Sequence, residues 1–121
     1  MSLARIHFTV EFQVPAERRE EFKTLARRLA SEVEATEPDT VAYCWYFDAN
    51  EERCRVREIF ENSEAMIAHV QAPAVAEILP QLLEIAPLTV FEVYGDLSPE
   101  AEEAVAELGP LRYGTFTGFM R

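Results

Sequence analysis

The hydrophobic period of this chain switches between two and about 3.6 residues in a fixed order, and few folds accommodate that order. Between Arg5 and Val14, Ile6, Phe8, Val10 and Phe12 alternate with His7, Thr9, Glu11 and Gln13, the pattern of a strand with one apolar face. Pro15 then stands where a helix would begin, and Glu17, Glu20 and Glu21 suit the positive end of a helix dipole. Phe22, Leu25, Ala26, Leu29 and Val33 form a core-facing helical stripe, which Pro38 predicts will stop near Thr36.

Strand signals return at Val41–Phe47 and Arg53–Phe60, both dense in aromatic and β-branched residues. The polar Asp48-Ala49-Asn50-Glu51-Glu52 between them reads as a hairpin turn. With Ala49 to Glu52 as the loop, Phe47 faces Cys54, Trp45 faces Val56 and Tyr43 faces Glu58. The opposite face then carries Tyr46 with Arg55, Cys44 with Arg57 and Ala42 with Ile59. In this register Cys44 and Cys54 point to opposite sides and cannot join.

Ser63 is the expected cap of a helix holding Met66, Ile67 and Val70. Pro73 interrupts that helix, and Val75, Ile78, Leu79, Leu82 and Leu83 continue as a second stripe up to Pro87. Leu88–Tyr94 is another strand, and Ser98-Pro99-Glu100 opens a helix running through Leu108 to Gly109-Pro110. Tyr113–Phe119 is expected to form a last short strand. Through Tyr94 the order is βαββαβ, that of an α+β ferredoxin-like plait with an antiparallel sheet and helices on one face. Residues 1–96 make up that domain, and 97–121 add a helix and an extension to it. The uncovered face keeps Tyr46, Cys44, Ala42 and Ile59, which argues for a second copy of the same chain as its cover.

At 121 residues and 13.8 kDa the chain has room for one modest core. Its formal charge of −11 disfavours phosphate backbones and anionic membranes, so neither nucleic acid nor membrane is an expected partner. No run approaches the roughly 18 apolar residues of a spanning helix, and Met1 to Gln13 lacks the basic start and apolar block of a signal peptide. A cytoplasmic location is the expectation. Two cysteines without clustered spacing offer no zinc site, and four glycines leave little material for a phosphate loop. No cofactor or metal motif is present.

Arg57-Glu58-Ile59-Phe60-Glu61-Asn62-Ser63-Glu64-Ala65-Met66-Ile67-Ala68-His69 resembles the signature of the antibiotic biosynthesis monooxygenase family. Glu37-Pro38-Asp39-Thr40 resembles the family's Glu-Pro-Gly-Thr turn, and Glu92-Val93-Tyr94-Gly95-Asp96 the end of its last core strand. The resemblance implies a dimeric α+β barrel in which two ferredoxin-like sheets face each other. It also implies oxidation of quinols or phenolic aromatics by molecular oxygen without flavin, haem or metal. An electron-rich phenolate can itself reduce oxygen, so the protein need only bind, deprotonate and exclude water.

The parts for that chemistry are an apolar pocket, an aromatic wall and a base. Tyr43, Trp45, Phe47 and Val56 share the helix-side face with Glu58, and Phe8 and Val10 join them. His69, on the covering helix, comes within reach of Glu58, and this pair is the expected catalytic couple. The same aromatics also suit a plain core, and Glu58 could simply pair with Arg57 or His69. Where many family members carry a second histidine, this chain has Ala72-Pro73-Ala74, so a relay through that residue is missing. The asparagine, tryptophan and histidine set of haem-degrading relatives is not reproduced at His7 or Gln81, which demotes haem binding or degradation. A non-catalytic ligand-binding or sensing domain on the same scaffold stands as the alternative. The Arg53, Arg55, Arg57 alternation suits cross-strand pairing with the Thr9 and Glu11 face or with a partner chain, or an anion-binding lumen.

Overall fold

Alternation buries one side of each strand and helical stripes cover it, so the sheet becomes the floor of the core. The computed structural model describes residues 4–121. Met1–Leu3, the start of both the expected 1–96 domain and the leader reading, lie outside the described residues. The strands are β1 (Ile6–Gln13), β2 (Thr40–Phe47), β3 (Arg53–Phe60), β4 (Leu88–Tyr94) and β5 (Leu111–Tyr113). The helices are α1 (Arg19–Thr36), α2 (Ser63–Val70), α3 (Pro73–Ile85) and α4 (Pro99–Ala106). The strand order is β2-β3-β1-β4-β5. This is the expected α+β arrangement, with β1 in the centre, paired to β3 on one side and β4 on the other.

The β2–β3 register is the one counted from the hairpin, with Trp45 opposite Val56, Tyr43 opposite Glu58 and Tyr46 opposite Arg55. The Asp48 carboxylate fixes it by accepting from the backbone N–H groups of Glu52 (2.9 Å) and Arg53 (3.1 Å). Ile6, Phe8, Phe12, Val56, Phe60 and Val93 are buried beneath the helices, where Phe22, Leu29, Met66, Ile78 and Leu82 meet them. Phe12 and Phe22 pack edge to face at 5.3 Å.

Four expectations are corrected. Pro15 does not open α1: it precedes a separate 3-10 turn, Ala16–Arg18, and Arg18 leaves helical geometry at φ −119°, ψ 14° before α1 begins. The cap of α2 is Asn62, not Ser63. Asn62 is extended and its Oδ1 accepts from Ala65 N at 2.9 Å, while Ser63 Oγ accepts from Ser98 N at 3.0 Å and ties α2 to the start of α4. The last strand is Leu111–Tyr113, and it runs parallel to β4, so the sheet is mixed. Parallel pairing needs a crossover, and α4 supplies it. The Asp96 carboxylate then accepts from Thr115 N at 3.1 Å, and the chain beyond Tyr113 leaves the sheet. Finally, α4 ends at Ala106 rather than Leu108.

Gly95 needs to be glycine: its φ is +121° and an added Cβ would lie 3.0 Å from the Arg5 carbonyl oxygen. On the uncovered face Arg55 meets Glu11 at 3.0 Å, the expected cross-strand pairing. No helix among the described residues is long and apolar enough to cross a membrane.

Candidate functional site

Period two puts Tyr43 and Trp45 of β2, Val56 and Glu58 of β3, and Phe8 of β1 on the helix side. α2 and α3 arch over this patch and leave a cavity of about 250 Å³. Phe8, Tyr43, Trp45 and Val56 line its floor, and Leu79 and Pro80 of α3 contribute to its walls. Pro80 has no N–H to offer the Ala76 carbonyl one turn earlier, which loosens α3 along this wall. Leu83, Leu88 and Leu108 also line the cavity and are exposed, so they form its rim.

The polar end of this apolar space is made by Glu58 and His69. Asn62 anchors α2, and the helix carries His69 inward until the residue is 5% exposed. Its Nε2 lies 3.2 Å from Glu58 Oε1, and its Nδ1 lies 2.8 Å from Glu37 Oε1. The Glu58 approach is an ion-pair contact whose geometry falls short of a hydrogen bond. Glu58 Oε1 therefore has no hydrogen-bond partner among the described residues. Burial works against a charged imidazole here, but the hydrogen bond to Glu37, the adjacent Glu58 and both negative charges outweigh it. They push His69 up to about 9. At neutral pH His69 is thus a cation between two acidic side chains, and Glu58 is the one that faces the cavity.

Tyr43 packs edge-on to the His69 ring at 5.2 Å. Burial and the charges of Glu58 and Glu37 raise its phenol well above the usual value, so it stays a neutral O–H. Trp45 stacks on Phe12 at 6.0 Å, and its buried Nε1 has no hydrogen-bond partner among the described residues.

Six of the seven expected site residues come together around this cavity: Phe8, Tyr43, Trp45, Val56, Glu58 and His69. Phe47 does not. It ends β2 under α1, where it packs on Phe22 at 6.3 Å and beneath Lys23 Nζ at 5.3 Å, and it lines a separate recess with Ala26 and Cys54. Glu37 is the site residue that sequence reasoning missed. One signal was available: an acidic side chain closing a helix sits against the dipole and calls for a local cation.

The family model described as antibiotic biosynthesis monooxygenase matches residues 5–81, well over half of the chain, and the chain belongs to that family. Among solved structures, it is similar to MupZ from Pseudomonas fluorescens, at 19% identity and a TM-score of 0.81 over 97% of this chain and 94% of that one. A conserved protein from Methanosarcina mazei Go1 is similar at 24% identity and a TM-score of 0.67, over 76% of this chain and 90% of that one. A Caulobacter crescentus protein assigned as an antibiotic biosynthesis monooxygenase has 18% identity and a TM-score of 0.71, over 78% of this chain and 92% of that one. At these identities the likeness is one of fold. The coverage by MupZ is wide enough to take in most of the 97–121 extension. No curated protein matches the sequence.

Proposed function

We propose that this protein is a cofactor-independent monooxygenase of a quinol or phenolic aromatic substrate, working as a homodimer. One observation carries the reading: the buried Glu58 carboxyl stands at the polar end of an apolar cavity, 3.2 Å from the His69 ring. A carboxylate oxygen has lone pairs to spare beyond its contact with His69, and a ligand hydroxyl in the cavity is a donor that Glu58 can accept from. A flat aromatic body fits the Phe8, Tyr43, Trp45 and Val56 floor, with its hydroxyl toward Glu58.

Glu58 takes the phenolic proton as the ring gives an electron to oxygen. The His69 cation and the neutral Tyr43 hydroxyl stabilise the anions formed, and the apolar walls exclude water. Where the reacting ring carbon is a CH2, recombination gives a hydroperoxide that loses water. One oxygen atom ends in a carbonyl, the other in water, and the substrate supplies all four electrons. A simple quinol balances differently, as quinol plus oxygen to quinone plus hydrogen peroxide.

Oxygen uptake with menadiol tests this. The wild type should exceed uncatalysed autoxidation at least tenfold, and Glu58→Gln should fall by about 10²-fold or more, the usual scale for a lost general base. Uptake at the uncatalysed rate in the wild type, with aromatic ligands still bound, would instead indicate a binding domain. The dimer is supported by the uncovered sheet face, where Tyr46 is 55% exposed, Leu111 is 60% exposed and Tyr94 stacks on Tyr113 at 4.9 Å. A solution mass of 13.8 kDa by light scattering would overturn it.

A further inference from the structure

Glu37 takes no part in the proton transfer proposed above, and its placement is not explained by packing. It closes α1, where the helix dipole disfavours a carboxylate, yet its side chain is 9% exposed. Thr40 Oγ1 donates to Glu37 Oε1 at 2.8 Å, and His69 Nδ1 reaches the same oxygen at 2.8 Å. Glu37 Oε2 has no hydrogen-bond partner among the described residues. His69 thus meets an acid at each ring nitrogen, a hydrogen bond to Glu37 of the α1–β2 junction at Nδ1 and an ion-pair contact with Glu58 of β3 at Nε2.

We propose that Glu37 is a positioning residue: by gripping the far ring nitrogen it fixes the orientation and the positive charge of His69, so that Glu58 alone is presented to the cavity as proton acceptor. The inference rests on the proposed role of Glu58, and it follows from comparing one carboxylate with two. A buried imidazole facing a single acid can lose its charge to burial, and its Nε2 would then compete with Glu58 for the substrate proton. With a second acid behind it the ring stays cationic and both nitrogens are donors. The other titratable groups around this assembly are Tyr43 of β2, against the His69 ring, and Asp39 and Glu64, which share a polar recess with Glu37. Neither of those acids forms a salt bridge to His69 among the described residues.

Nitrogen-15 NMR of the His69 ring from pH 5 to 10 tests this on the full-length chain. The wild type should keep both ring nitrogens protonated at pH 7.5; a neutral His69 there overturns the proposal by itself, whatever the variants do. Glu37→Gln keeps the acceptor and removes the charge. It should lower the titration midpoint by about one unit or more, the usual effect of an opposite charge in contact. Glu37→Asp, which keeps the charge at shorter reach, should lie between. A folded Glu37→Gln protein with the wild-type midpoint would contradict the inference. The NMR measurement needs no substrate, so it stands even if menadiol is not oxidised. If menadiol is oxidised, Glu37→Gln should move the basic limb of kcat to lower pH with KM little changed, which a purely structural role would not do.

Discussion

His69 and its two acids dominate the residue scale, because the charge they stabilise is also a stability term. The folded chain raises His69 from its ordinary 6.5 to about 9, so the charged form is favoured by folding. The sign follows directly: this stabilisation is complete below about pH 6.5 and is lost as pH rises through about 9. A shift of that size is worth on the order of 3 kcal/mol. Urea unfolding at pH 6 and pH 9.5 should show the wild type losing that much, while His69→Gln, less stable at the start, shows a flatter dependence. Equal slopes for the two proteins would mean that His69 carries no such charge.

At the scale of elements, the site depends on how α2 is started and where α1 stops. Asn62 starts α2 through its bond to Ala65 N, a cap of a kind worth about 1 kcal/mol, and so sets the depth at which His69 enters the cavity. The strands and their register were legible because each has a buried side and the Asp48 turn admits one count. The Glu58–His69 meeting was legible for the same reason, since one is on the strand floor and the other on the helix above it. The cap was ambiguous: Asn62 and Ser63 both qualify chemically, and only the extended backbone at Asn62 decides. Phe47 was misplaced because alternation reports which face a residue takes, not which helix covers it there. β5 was out of reach too. Its pairing with β4 depends on Arg112, which donates to the Val93 carbonyl at 2.8 Å and to Glu102 at 2.6 Å, contacts no periodicity encodes.

For the whole molecule, the sheet separates two surfaces with different work. The helix side encloses an apolar cavity whose polar end is Glu58 and His69. The other side is uncovered and carries Tyr46, Leu111 and the Tyr94–Tyr113 stack, beside the exposed Arg53, Arg55 and Arg57 stripe. In a chain of net charge −11 this stripe is a local concentration of positive charge, and Glu11 holds Arg55 in place from within the sheet. The extension beyond residue 96 adds Leu108 to the cavity rim, so the core domain and its extension shape one mouth together. In the proposed reaction a phenolic aromatic lies in this cavity with its hydroxyl on Glu58. A crystal structure of the protein soaked with 2-naphthol tests it most directly. The ring should lie against Tyr43, Trp45 and Val56, with the hydroxyl within hydrogen-bonding distance of Glu58 Oε1. An empty cavity, or a naphthol whose hydroxyl points to the Leu83 and Leu88 rim, would contradict it.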